Sequence, residues 1–241
     1  MKYNVNINGL EVEASYSDAS VENIINPLLQ KLYELHEKKG RRILVMLAAP
    51  PGAGKSTFVD FLERMAVEQE GRGLKLQSIG MDGFHRRQEY LTSHTTMRDG
   101  REIMMVDIKG APETFDLPKL RASVESVAAG DECGWPVYDR TLHNPVEDAI
   151  EVDGDIVILE GNYLLLDEDG WRDLASYADY TISLTADEQV LRNRLIDRKA
   201  KSGNSIEDAT SFVDFSDMAN VRLCLSKSKN ADLVIDIDEF N

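Results

Sequence analysis

The stretch ILVMLAAPPGAGKSTFVD, residues 43–60, limits what this chain can fold into more than any other. Ile43 to Ala48 is an unbroken apolar run, as expected of a strand buried on both faces. Ala49-Pro50-Pro51-Gly52-Ala53-Gly54 follow as a loop. Lys55-Ser56-Thr57 then open a helix whose apolar positions Phe58, Phe61, Leu62 and Met65 recur at helical spacing. Strand, glycine loop and helix in that order make a phosphate-binding loop. Glycines let successive backbone N–H groups turn toward one anion, and the helix N-terminus adds about half a positive charge behind them. Pro51, Gly52, Ala53, Gly54, Lys55, Ser56 and Thr57 are therefore predicted to hold nucleotide phosphates, with Lys55 on the outer phosphates and the Ser56 hydroxyl on Mg²⁺. The first glycine of G-x-x-x-x-G-K-[ST] is Ala49 here. The remainder, Gly54-Lys55-Ser56, is weak alone and gains force from the strand, the helix and the extra Gly52.

A chain of 241 residues suits one large α/β domain with a substantial core. No apolar run is long enough to span a bilayer, and Met1-Lys2-Tyr3-Asn4 leads into alternating polar residues rather than a secretory signal. Cys133 and Cys224 are too few for a disulfide framework, lack metal-ligand spacing and suit a reducing cytoplasm. A formal charge of −16 argues against nucleic acid or an anionic membrane as a general partner. Any anionic ligand must meet a local cluster of positive groups.

Residues 3–14 alternate around Asn8-Gly9, a strong hairpin signal. A helical pattern through Leu35 follows, and Pro27 with Asn26 as its cap is expected to split it. Residues 1–40 are expected to form a hairpin-and-helix appendage packed on a main domain at 41–241. A second strand, Leu74 to Ile79, runs into Gly80-Met81-Asp82-Gly83-Phe84-His85. Residues 86–115 read as a long irregular segment holding Arg86, Arg87, Arg98, Arg101 and Lys109, and such segments are usually functional or mobile. Asp116 and Pro118 signal a helix start. Strands are expected at 135–139, 156–159 (entered through Ala149 to Val152 and the Asp153-Gly154 turn), 180–184 and 233–237, with helices at 187–201 and, broken, at 206–226. Strands alternating with helices indicate a mostly parallel sheet covered on both faces.

In such sheets ligands gather at the carboxyl ends of strands. Three strands here end in the phosphate loop, Asp82 and Glu160. Glu160 either holds Mg²⁺, through a coordinated water, or is a strand-end acid facing solvent. Asp82 either accepts a proton from an attacking hydroxyl or forms a turn before Gly83. Arg194 and Arg198 stand four apart on a helix face, a repulsive spacing unless an anion or acid lies between them. A nucleotide phosphate would serve, and so would Asp197, while Arg192 has Glu188 within pairing distance. A lone histidine is more often structural than functional, which applies to His85 and His143, and Tyr138 is compatible with a place in the core.

The ordered set APPGAGKST, MDGFH, KGAPETFD, PVYDRTLH, ILEGNYLLLD and WRDL, followed by an arginine helix, resembles the phosphoribulokinase/uridine kinase family over roughly residues 40–237. The resemblance is nearest to the bacterial branch related to uridine and pantothenate kinases. It implies a P-loop kinase fold with a five-stranded parallel core, ATP and Mg²⁺ as cofactors, and a small hydroxyl-bearing acceptor. Asp82 becomes the catalytic base and Glu160 the acid that assists the metal. Tyr138, Asp139 and His143 contact the acceptor. Arg194 and Arg198 become the lid arginines on the phosphates, with Lys55 and Arg194 assisting catalysis. His85, Lys109, Arg140 and Asn162 complete the expected acceptor pocket. Segment 86–115 departs from uridine kinases too far to carry over a nucleoside pocket, and Lys109 with its neighbouring arginines would instead suit a carboxylated or phosphorylated acceptor. The resemblance also suggests a homodimer. A nucleotide-dependent regulatory ATPase acting with a protein partner would share the loop and Glu160, but has no need of Asp82 beside an acceptor pocket.

Overall fold

In the computed structural model, residues 2–7, 10–68, 73–98 and 100–240 are described. β1 (Lys2–Ile7) and β2 (Leu10–Ser15) pair antiparallel, from Lys2 opposite Ser15 to Ile7 opposite Leu10. The expected Asn8-Gly9 turn lies outside the described residues. The chain then enters α1 (Asp18–Ser20), a π-helical turn at Val21–Ile25 and α2 (Asn26–Lys39). Asn26 is helical rather than a cap, with φ −62°. Proline has no N–H and its ring crowds the carbonyl four residues back. The wider turn before Pro27 accommodates both, so the helix continues where a split was expected.

β3 (Ile43–Ala48) leads into α3 (Lys55–Glu68), and β4 (Leu76–Gly80) follows. The segment expected to be irregular carries α4 (Gln88–Ser93) and a hairpin, β5 (Thr95–Arg98) with β6 (Arg101–Met104). Next come α5 (Leu117–Ala129) and a second hairpin, β7 (Cys133–Asp139) with β8 (Asn144–Val152). In the latter, residues 144–152, read only as a lead-in to the next strand, form β8. The hairpin register shifts between Trp135 and Val137, where Pro136 has no N–H to give the ladder. β9 (Ile156–Gly161), β10 (Tyr180–Thr185), α6 (Glu188–Lys201) and α7 (Ile206–Phe212) complete the series with a π-helical turn at Val213–Asp217, α8 (Met218–Lys227) and β11 (Leu233–Asp236). Asp116 and Asp187 cap α5 and α6 by accepting from Lys119 N and Gln189 N, each such cap contributing about 1 kcal/mol.

Five strands form the expected parallel sheet, in the order β11-β10-β3-β9-β4. Every residue of β3 is buried, and alternate side chains feed two cores. Ile43, Val45 and Leu47 pack with Phe58, Phe61 and Leu62 of α3 and with Leu28, Leu29 and Leu32 of α2. Leu44 and Met46 pack with Leu120 and Val124 of α5 and with Trp135 and Tyr163. The first forty residues thus share a core with the sheet. Tyr16 stacks on Phe61 at 4.1 Å, and Ser17 N donates to the Phe240 carbonyl at 3.0 Å.

Candidate active site

The carboxyl ends of β3, β4 and β9 converge as the apolar runs require. Gly52 and Gly54 take φ of 86° and 88°, left-handed values that turn the loop amides inward. A Cβ on Gly52 would lie 3.1 Å from Leu195 Cγ and 3.2 Å from the Leu191 carbonyl, so the arginine helix α6 rests directly on the phosphate loop. Ala49 is buried and donates its N–H to the Gly161 carbonyl at 3.3 Å. That position extends the strand and has no need of a glycine. Pro51 and Ala53 are buried in the loop wall, and Thr57 is half-buried on the first turn of α3.

Ser56 Oγ donates to Glu160 Oε1 at 2.7 Å. Lys55 Nζ stands 3.8 Å from Glu160 Oε2, an oxygen that is buried and accepts no hydrogen bond. Burial pushes the Glu160 carboxyl above its ordinary range. Lys55 and the Ser56 hydrogen bond oppose the shift, and Asp82 adds to it. A carboxylate with a free oxygen beside a serine hydroxyl suits Mg²⁺, which prefers one or two protein oxygens, waters and substrate phosphates to an all-protein cage. The described residues hold no group of three or more His, Cys, Asp and Glu that could hold a metal ion.

Asp82 lies in a short turn, Met81–Phe84, at the end of β4. Gly83 is required there because a Cβ would fall 1.9 Å from the Pro136 carbonyl, which brings the β7–β8 hairpin against the turn. Burial raises the Asp82 pKa, but His85, Lys55, Arg140 and Arg198 outweigh it and hold the carboxyl below its usual range. His85 Nδ1 meets the Asp82 carbonyl at 2.8 Å, and its ring packs 4.0 Å from Phe115 and 5.1 Å from Tyr138. Burial lowers the His85 pKa more than Asp82 raises it, which favours the neutral ring.

Lys109 Nζ donates to Tyr138 Oη at 2.6 Å, Gln88 Oε1 at 2.8 Å and the His143 carbonyl at 3.4 Å. The His143 residue is exposed at the hairpin turn with φ 53°, and its carbonyl is what faces Lys109. Asp139 is also structural, accepting from Thr141 N and Leu142 N. Arg140 is exposed, and its charge reaches Asp82, His85 and Tyr138. Asn162 follows β9 with Oδ1 buried and unpaired, while its carbonyl accepts from Cys224 Sγ at 3.3 Å.

The two arginines expected on the lid, Arg194 and Arg198, differ. The Arg198 charge acts on Asp82 and Asp217, whereas that of Arg194 acts on Tyr16. Arg194 forms no ion pair with Asp197 among the described residues. Arg192 pairs with Asp214 at 2.6 Å, and Glu188 with Arg222 at 2.7 Å, instead of with each other. The fold brings α8 and the π turn against α6, and these distant partners win. Sequence spacing gave no sign of Asp217, beside Arg198 and Lys199, or of Gln88 on Lys109.

A phosphate loop, a strand-end carboxylate set among cations and a metal-suited acid opposite a serine define a small-molecule kinase of the P-loop type. The chain belongs to the Phosphoribulokinase / Uridine kinase family, whose model matches residues 44–239. It is 41% identical over 240 residues to an uncharacterized protein of Escherichia coli K12, YggC, covering 99% of this chain and 97% of that one. It is 24% identical over 205 residues to a uridine kinase of Brevibacillus brevis, covering 84% and 88% of the two chains. A crystal structure from Silicibacter sp. TM1040, described as a "putative fructose transport system kinase", superposes with TM-score 0.77 at 31% identity, covering 88% of this chain and 98% of that one.

Proposed function

We propose that this protein transfers the terminal phosphoryl group of ATP to a hydroxyl of a small metabolite. The observation that carries this reading is Asp82, held ionised at the end of β4 amid Lys55, Arg140 and Arg198. A base in that position orients the attacking hydroxyl and takes its proton as the new P–O bond forms. The loop amides and Lys55 hold the phosphates. Ser56 and Glu160 would hold Mg²⁺, whose charge would offset that of the nucleotide phosphates. Arg198 faces the charge that develops on the transferring group, and Arg194 lies one turn before it. His85, Tyr138 and Lys109, joined by ring contact and the Lys109–Tyr138 hydrogen bond, would line the acceptor site together with Arg140 and Asn162.

No helix among the described residues is long and apolar enough to cross a membrane. Both cysteines are free thiols, which supports a reducing cytoplasm as the working compartment. A homodimer remains part of the proposal on the family likeness alone.

The test is ADP release from Mg²⁺-ATP with pooled nucleosides, sugars, sugar phosphates and pantothenate, beside an Asp82→Asn control. The expected result is one pool raising turnover well above the acceptor-free rate, with the gain lost in the control. A flat response despite intact ATP binding would favour an ATPase that answers to a protein partner.

A further inference from the structure

On sequence alone Lys109 is a candidate partner for an anionic group of the acceptor. The structure spends its charge elsewhere. An ammonium has three N–H donors and no acceptor. Those of Lys109 meet Tyr138 Oη at 2.6 Å, Gln88 Oε1 at 2.8 Å and the His143 carbonyl at 3.4 Å. Tyr138 Oη therefore accepts, and its own O–H has no acceptor among the described residues. Burial pushes the phenol above its ordinary range, so the proton stays on that oxygen. Arg140 opposes the shift and Asp82 adds to it, which sets the free O–H within the field of the proposed base.

The clamp on Lys109 draws on separate segments of the chain. Gln88 opens α4, and its backbone N–H donates to Asn144 Oδ1 at 2.8 Å. Asn144 begins β8 opposite Asp139, one step along the ladder from the Tyr138–Pro145 pair. The first turn of α4 is thus docked on the hairpin that carries Tyr138, and the Gln88 side chain meets Lys109. The Lys109 backbone is pinned as well. Gly110, at φ 101°, donates its N–H to Thr114 Oγ1 at 3.0 Å, and its carbonyl accepts from Tyr163 Oη at 2.6 Å. The Tyr138 ring lies 5.1 Å from that of His85, whose Nδ1 meets the Asp82 carbonyl at 2.8 Å.

Hydrogen bonds in a chain polarise one another, so an ammonium donating into a phenol oxygen makes the phenol O–H a stronger donor. We infer that Lys109 is a positioning residue: aimed by Gln88, it fixes the Tyr138 hydroxyl as the donor that reads a lone-pair oxygen of the acceptor, and it forms no ion pair with the acceptor itself. Asn144 sets the place of Gln88. An acceptor therefore needs no anionic group at this point, only an oxygen able to take the Tyr138 proton in a hydrogen bond. This inference rests on the kinase reading above and deepens it.

The test measures ADP release from Mg²⁺-ATP with D-fructose, D-ribose, uridine, D-pantothenate and D-ribulose 5-phosphate. The probe with the highest kcat/KM is carried into Tyr138→Phe, Lys109→Met, their double variant, Gln88→Leu and Gln88→Glu of the full chain. Tyr138→Phe and Lys109→Met should each lower kcat/KM for the acceptor about tenfold, mostly through KM, with KM for ATP within about twofold. The double variant should lose about tenfold in all, because Lys109 acts through the hydroxyl already removed. Gln88→Leu should lose about threefold to fivefold, and Gln88→Glu, which keeps an oxygen for Lys109, should recover most of it. The Tyr138 ¹³Cζ resonance, assigned by its absence from Tyr138→Phe, gives a reading without any acceptor. Lys109→Met and Gln88→Leu should both move it, and Gln88→Glu should leave it near the wild-type position. A loss of about a hundredfold in the double variant, the product of the single losses, would overturn the inference by showing that Lys109 meets the acceptor itself. An unmoved resonance in Gln88→Leu would overturn it too, as would lower melting temperatures with unchanged acceptor kinetics, the mark of a clamp that only holds segments together. Those failures leave the kinase reading standing. If the wild type turns over none of the five probes, the kinase reading falls and takes this inference with it.

Discussion

The two ends of the central sheet treat buried charge in opposite ways. At the amino end, Asp179 is 6% exposed in its side chain and saturated with partners. Arg41 grips it at 2.7 and 2.9 Å, Lys39 lies at 3.0 Å, and Leu44 N donates at 3.1 Å. Burial raises its pKa, and these bonds more than reverse the shift. Arg42 on the same end donates to the carbonyls of Gly154, Asp131 and Val152. At the carboxyl end, Glu160 is 15% exposed in its side chain yet keeps one oxygen without a hydrogen bond, and its pKa is raised. One end is closed chemistry that holds strands together. The other leaves a buried carboxylate oxygen without a partner, which the proposed metal site would supply.

This contrast can be broken most sharply at Asp82. Asp82→Asn should lower kcat about 10²–10⁴-fold while KM for ATP and the melting temperature barely move. Equal losses in kcat and ATP affinity would remove its assignment as base. Glu160→Gln should lower kcat roughly 100-fold and weaken the Mg²⁺ dependence, yet leave the metal-free melting temperature unchanged or higher, because it deletes a buried charge. Asp179→Ala should do the reverse. It should cost about 2–3 kcal/mol in denaturant unfolding with kcat/KM of the folded protein intact.

Acid titration sharpens the same contrast. The folded pKa of Asp179 is depressed, so its stabilisation is present above about pH 3.9 and is lost as pH falls through the lower folded value. Glu160 has a raised folded pKa, so its destabilising effect is present above that value and relieved below it. Metal-free unfolding curves against pH should therefore shift in opposite senses for Asp179→Asn and Glu160→Gln. The smallest effect separates the lid arginines. Arg198→Ala should lower kcat about tenfold or more, while Arg194→Ala should act mainly on KM for ATP. Equal kcat losses would place both on the transferring group.

Much of the carboxyl end was legible because its parts are local. β3 is a continuous apolar run, the loop follows it without interruption, and the Asp116 and Asp187 caps sit immediately before their helices. The misses are non-local. The β5–β6 hairpin lies on the surface with half its side chains in solvent, and β8 is exposed at four consecutive positions. Neither carries the apolar alternation that marks a half-buried strand. The π turns at Val21–Ile25 and Val213–Asp217 differ from an α-helix by one residue per turn, too little for apolar spacing to register. Asp214 on Arg192, 22 residues away, and Gln88 on Lys109, 21 away, depend on the fold having formed.

Trp135 has a use apart from packing. It is fully buried in β7, donates Nε1–H to the Gly80 carbonyl at 2.8 Å, and meets the Phe84 ring edge-on at 4.8 Å. Both contacts flank Asp82, one on either side along the chain. The indole is thus an optical reporter wired to the segment that carries Asp82. The other tryptophan, Trp171, packs against Tyr163 and Phe115 and supplies a second signal from the neighbouring core. With Trp171→Phe as background, the emission of a single chromophore would follow acceptor capture in real time, before any phosphoryl group moves.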